Sequence, residues 1–111
     1  MADHTIQITA ASGDTLTLDP SDPVTVSPGD TVTWEVANNV NITITGISED
    51  NKPNNSNIFA GQGPQATDNT NKTWQGRVRG GTKGQHEEYT ISWNDSAGNS
   101  HSMDPRLDVR N

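Results

Sequence analysis

The chain has 111 residues, enough for one domain and too few for two. Only 28% of them are hydrophobic and none is cysteine, so the core must be lean, and disulfides and thiolate metal ligands are excluded. A formal net charge of -7 argues against nucleic acid and anionic membrane surfaces as partners, and no run approaches the roughly 20 apolar residues of a membrane helix.

Thr, Asn, Asp and Gly dominate the composition, which favours strands joined by polar turns. Such polarity also fits disorder, but the apolar residues are patterned, recurring at every second position, as on one face of a strand. Eight such sets follow in chain order. Ile6, Ile8 and Ala10 form the first, and Leu16 with Leu18 the second. Val24 and Val26 form the third, ahead of the turn Ser27-Pro28-Gly29-Asp30, and Val32, Trp34 and Val36 form the fourth. Val40, Ile42 and Ile44 make the fifth, and Trp74 and Val78, with Gly76 between them, the sixth. Tyr89, Ile91 and Trp93 make the seventh, and Met103, Leu107 and Val109 the eighth. Eight half-buried strands at short spacing predict a single all-β domain over 1–111, a sandwich or a barrel. Trp34, Trp93 and Met103 are expected in its core.

Residues 48–71 break the pattern, with Ile58 and Phe59 as their only large apolar side chains. So long a polar link is predicted to be a loop carrying recognition, anchored to the sandwich edge by that pair.

Two stretches carry a family likeness. "VTVSPGDTVTWEVANN" (24–39), together with "YTISW" (89–93) and the ending "MDPRLDV" (103–109), resembles the cupredoxins, the blue-copper proteins. The resemblance implies an all-β, antiparallel Greek-key β-sandwich of about eight strands with one long loop, cupredoxin-like in fold but without the copper. A blue-copper site needs a thiolate and two imidazoles. The position of the cysteine is taken by Trp93, and that of the first histidine falls near Asn41 or Ile42. Only Met103 matches, so the implied scaffold is copper-free with an aromatic plug at Trp93. No cofactor is expected.

Other candidate chemistry is sparse. His101 and Met103 lie two apart and would share a strand face, an alternative site for a soft metal ion. His4 and His86 read as surface residues. Asp95, Ser96, Ser100 and His101 supply the residue types of a serine triad, but in a polar turn without a nucleophile elbow. Glu87 and Glu88 are adjacent and point to opposite faces of a strand. "GGTKG" (80–84) reads as a hairpin turn, and the oxygen-rich segment 48–57 as a solvated loop without calcium-loop spacing. Four glycosylation sequons begin at Asn41, Asn54, Asn71 and Asn94, a frequency that an Asn-rich chain reaches by chance.

The sequence thus predicts no enzyme but a binding or structural module, its partner a protein surface, a small ligand or a second copy of itself. A metal-handling or electron-transfer protein and a self-assembling β subunit are the alternatives. No cationic start followed by an apolar run is seen, so no signal peptide is expected, and localisation stays open between the cytosol and a mature secreted form. Cu(II) added to the protein should give no intense blue absorption, since that band requires a thiolate; a visible spectrum during copper titration checks this.

Overall fold

A computed structural model describes residues 3–19, 24–49, 58–61, 63–67 and 72–110. These residues are all-β, with ten strands and no helix among them. The strands are β1 (Asp3–Ser12), β2 (Thr15–Asp19), β3 (Val24–Val26), β4 (Thr31–Val36) and β5 (Thr43–Glu49), then β6 (Gln65–Ala66), β7 (Thr73–Arg77), β8 (His86–Asn94), β9 (Ser100–Met103) and β10 (Arg106–Val109). One sheet runs β2-β1-β4-β7-β6; the other runs β3-β10-β8-β5, with β9 also on β8.

Both sheets are mixed, not antiparallel as the sequence suggested. β1 runs parallel to β4, pairing Ile6 with Trp34, and β10 runs parallel to β3, pairing Leu107 with Val24. Period-two patterning fixes which side chains face inward but is blind to the direction of the neighbouring strand.

The strand count also differs from eight, for local reasons. The expected last strand is two, β9 and β10, which lie against β8 in one register. Asp104-Pro105 interrupts it, and proline has no N–H to give the ladder; the Pro105 carbonyl still accepts from Tyr89 N at 3.0 Å. β6 arises inside 48–71, so that segment is not wholly a structureless link. The rest of 50–57, 62 and 68–71 lies outside the described residues.

Two bulges shift the inward face. Between Ile8 and Ala10 the β1–β2 register slips, and Ala10, expected inside, is exposed. A second slip between Ile44 and Gly46 makes Ile47 the next buried residue of β5. Val40 and Ile42, expected on that strand, precede it in irregular chain, although both are buried.

The turn before β4 shows how the sequence builds these connections. Asp30 N donates to Ser27 O at 3.1 Å, and Gly29 has φ of 88°. Pro at the second and Gly at the third position are what a type II turn requires. The buried Asp30 carboxylate then accepts from Ser27 N at 2.9 Å and lies 2.7 Å from His4 Nε2, fastening the turn to β1.

The inner faces of the two sheets share one hydrophobic cluster, with Trp34 fully buried at its centre. Its Nε1–H donates to the Tyr89 hydroxyl of the opposite sheet at 3.0 Å, with the rings edge-on at 5.4 Å. Phe59 packs on the other side of Trp34, at 5.8 Å. Phe59 fits only because position 76 is glycine: a Cβ there would meet Phe59 Cδ1 at 2.9 Å.

Gly76→Ala should therefore cost about 1–3 kcal/mol, as overpacking does. Tyr89→Phe should cost a similar ~1–3 kcal/mol by leaving the buried indole N–H without its acceptor. Chemical denaturation of each variant measures both; a loss in the range of surface substitutions, within about 0.5 kcal/mol, would contradict this packing.

Candidate functional site

The strand ends at which β1 turns into β2 and β8 into β9 gather most of the polar chemistry. The loop after β8 is organised by Asp95. Its Oδ1 accepts from Ala97 N and Asn99 N, both at 2.9 Å, and Gly98, with φ of 86°, completes the turn. This is the local bonding for which Asp is favoured in turns. The other carboxylate oxygen of Asp95 lies 2.8 Å from His101 Nε2.

His101 sits on β9 and stacks on the buried Trp93, ring centroids 5.6 Å apart. Its second nitrogen, Nδ1, lies 2.6 Å from Asp14 Oδ1 in the β1–β2 turn. One imidazole thus joins a carboxylate from each sheet's turns. The contact with Asp95, and then that with Asp14, raises the His101 pKa above its ordinary value; the contact with His101, followed by the Asn99 amide, lowers that of Asp95. Two residues along β9, Met103 Sδ accepts from Leu16 N of β2 at 3.1 Å. The end of the β1–β2 hairpin is therefore tied to β9 at two points.

A cleft of about 360 Å³ opens beside this bridge. Thr9, Ala10 and Ala11 of β1 form one wall, Asn39 to Ile42 of the β4–β5 connection another, and Asp95 and Ser96 the end. The β1 bulge creates the first wall by turning Ala10 outward. A second cavity of similar size is lined by His101 itself, with Asp14, Thr45, Ser92, Ser100 and Ser102.

Trp34 and Trp93 are buried, and Met103 is half-buried against the cluster. The Trp93 indole N–H finds no acceptor among the described residues. His101 and Met103 do share a face of β9, but both nitrogens of one and the sulfur of the other are already engaged, and no three metal-binding side chains cluster among the described residues. Asp95 and His101 meet, while the Ser100 hydroxyl donates to Asn94 Oδ1 at 2.9 Å and both His101 nitrogens face carboxylates, so no serine triad is assembled. Ile58 and Phe59 are buried, with 0% and 3% exposure, and offer no surface to a partner. Residues 80–84 hold turns, one closed by Gln85 N to Thr82 O at 2.9 Å, but they close no hairpin, because the flanking β7 and β8 belong to different sheets. Asn39 and Asn41 in the cleft and Asp14 in the bridge were not foreseen; the sequence signal for them was their placement in or beside polar turns.

In the comparison with protein families, residues 24–62 match the LysM domain, roughly a third of the chain. No curated protein matches it. The match overturns the cupredoxin-like reading and its Greek-key arrangement, because it claims the 24–39 stretch on which that likeness chiefly rested. The physical reason is that a Pro-Gly-Asp turn between alternating strands is ordinary turn chemistry, explained here by the Gly29 φ and the Asp30 bonds. With that reading gone, Trp93 is no plug in a metal pocket; it is a core residue carrying His101. LysM domains are normally α/β, whereas the described residues of 24–62 form β3, β4, β5 and the Phe59–Val78 bridge.

The bridge sets a pH window for stability. His101, with its raised pKa, contributes stability that is complete below its unfolded value near 6.5 and lost as pH rises through the folded value. Asp95, with its lowered pKa, contributes stability present above 3.8 and lost as pH falls through its folded value. Urea midpoints should therefore be highest between these limits, and His101→Gln should flatten the alkaline side. An unchanged alkaline limb in that variant would show that the bridge does not contribute.

Proposed function

We propose that this chain is a non-catalytic module that binds an N-acetylated glycan, of the peptidoglycan or chitin type, in the cleft between β1, the β4–β5 connection and the β8–β9 turn. LysM domains bind such glycans, and the observation that carries the reading is that the LysM-like segment itself supplies Asn39 to Ile42 as a wall of this cleft. The chemistry of the wall suits the ligand. Asn amides both donate and accept hydrogen bonds, as sugar hydroxyls and acetamido groups require. Ala10 and Ala11, both exposed, lend an apolar patch for sugar C–H faces and acetyl methyls, with the buried Val40 and Ile42 backing the wall, and a few placed polar groups on an apolar lining are typical of ligand sites.

The partner is thus a polysaccharide, not the protein surface expected from residues 48–71. No helix among the described residues is long and apolar enough to cross a membrane.

Sedimentation with insoluble chitin, peptidoglycan and cellulose tests the reading. The protein should pellet with the first two and not with cellulose, which lacks acetamido groups. Replacing Asn39 and Asn41 together with Ala should weaken binding by roughly tenfold, the loss of one or two hydrogen bonds. Melting temperature should stay unchanged. Equal retention on all three polymers, or on none, would sink the proposal.

A further inference from the structure

The hydrogen-bond count at His101 has a functional consequence. A neutral imidazole offers one N–H donor and one acceptor; only the protonated ring donates from both nitrogens. Here each nitrogen faces a carboxylate oxygen, Asp14 at 2.6 Å and Asp95 at 2.8 Å. Carboxylates accept and cannot donate, so both contacts hold together only while the ring carries its second proton. On deprotonation one nitrogen turns its lone pair on a carboxylate, and one arm must open.

The two arms are unequal. Asp95 is also fixed by the Ala97 and Asn99 amides, whereas the Asp14 side chain is 80% exposed and sits on a two-residue turn beside Gly13, with φ of 58°. The Asp14 arm is the one that opens. Asp14 and Asp95 are the charged groups acting on His101; the other residues lining its open side are Thr45, Ser92, Ser100 and Ser102, which are neutral. What remains to hold the hairpin on β9 is the weaker contact of Leu16 N with Met103 Sδ. Thr9, Ala10 and Ala11, which form a wall of the cleft, run directly into the turn that is freed.

We propose that the Asp14–His101–Asp95 bridge is a proton-operated clasp that pins the tip of the β1–β2 hairpin to β9, so that the glycan cleft is preorganised while the imidazole is protonated and loosened once it is not. This rests on the glycan reading for the ligand, but not for the clasp. Preorganised sites lose less entropy on binding, so affinity follows the proton. The raised His101 pKa agrees with the double contact.

The clasp and the ligand are tested separately on the intact chain. In the absence of any glycan, an NMR pH titration follows the His101 ring protons and the amides of Ala10, Ala11, Gly13 and Asp14. The ring midpoint should lie above that of an ordinary histidine and fall in both Asp14→Asn and Asp95→Asn, with the hairpin amides shifting at the same midpoint. A ring midpoint at or below the ordinary value, or hairpin amides that do not follow it, overturns the clasp whether or not a sugar binds. The affinity for a soluble chitin oligomer is then measured across the same pH range. The wild type should weaken several-fold above the midpoint, and Asp14→Asn should bind with a flat profile. A wild-type profile as flat as that of Asp14→Asn overturns the coupling. No binding at any pH overturns the glycan reading and its coupling, leaving the NMR arm to decide the clasp.

Discussion

Trp34 and Tyr89 come from different sheets, and the indole N–H that donates to the phenol oxygen is buried with the whole of both rings. A lean core cannot rely on bulk alone, and an aromatic pair of this kind adds area and direction at once. Phe59 closes the other flank of Trp34, and room for it exists because β7 carries glycine opposite. The partner assignments of β4, β7 and β8 therefore converge on one ring. Where that ring sits decides which turns emerge together at the end of the molecule, and hence which walls the cleft has.

The cleft and the clasp are products of irregularity laid over this regular core. The β1 bulge throws Ala10 to the surface, and the irregular approach to β5 brings Asn39 and Asn41 beside it. His101 is held in place from below by Trp93 and from the sides by two carboxylates. A net charge of -7 makes a lone histidine between two Asp side chains a natural place for a proton to reside.

Much of the inward-facing set was legible in the sequence, because alternation reports burial directly: Ile6, Ile8, Val32, Trp34, Tyr89, Ile91 and Trp93 all lie inside. What alternation could not report was pairing. The parallel partners β1–β4 and β3–β10 depend on segments far apart in the chain, and no local spacing encodes them. Bulges were equally silent, since the extra residue at Ala10 looks like one more member of an alternating run. The family likeness misled for a related reason: a turn that any β protein can use was taken as a signature. Asp14, Asp95 and His101 come from separate turns and strands, so their meeting is a property of the fold and not of any motif. In the long polar segment the two large apolar residues, Ile58 and Phe59, were legible as anchors and are buried, whereas the short strand β6 left no alternating signal.

The pairing of β3 with β10 has a further meaning during synthesis. β3 is made early among the ten strands, yet the strand that receives it, β10, follows all the others in chain order. Until then β3 has no neighbouring strand to pair with in its sheet. β1, by contrast, can dock on β4 soon after the Ser27–Asp30 turn leaves the ribosome, and β2 can fold back on β1 without waiting. Closing so distant a pair delays the rewarding contacts until most of the chain entropy has been surrendered, a topology that favours slow completion. The nascent protein can thus complete the β2-β1-β4-β7-β6 sheet once β7 is made, while the other sheet waits for its interior strands β8 and β10, and β3 stays unpaired until β10 arrives.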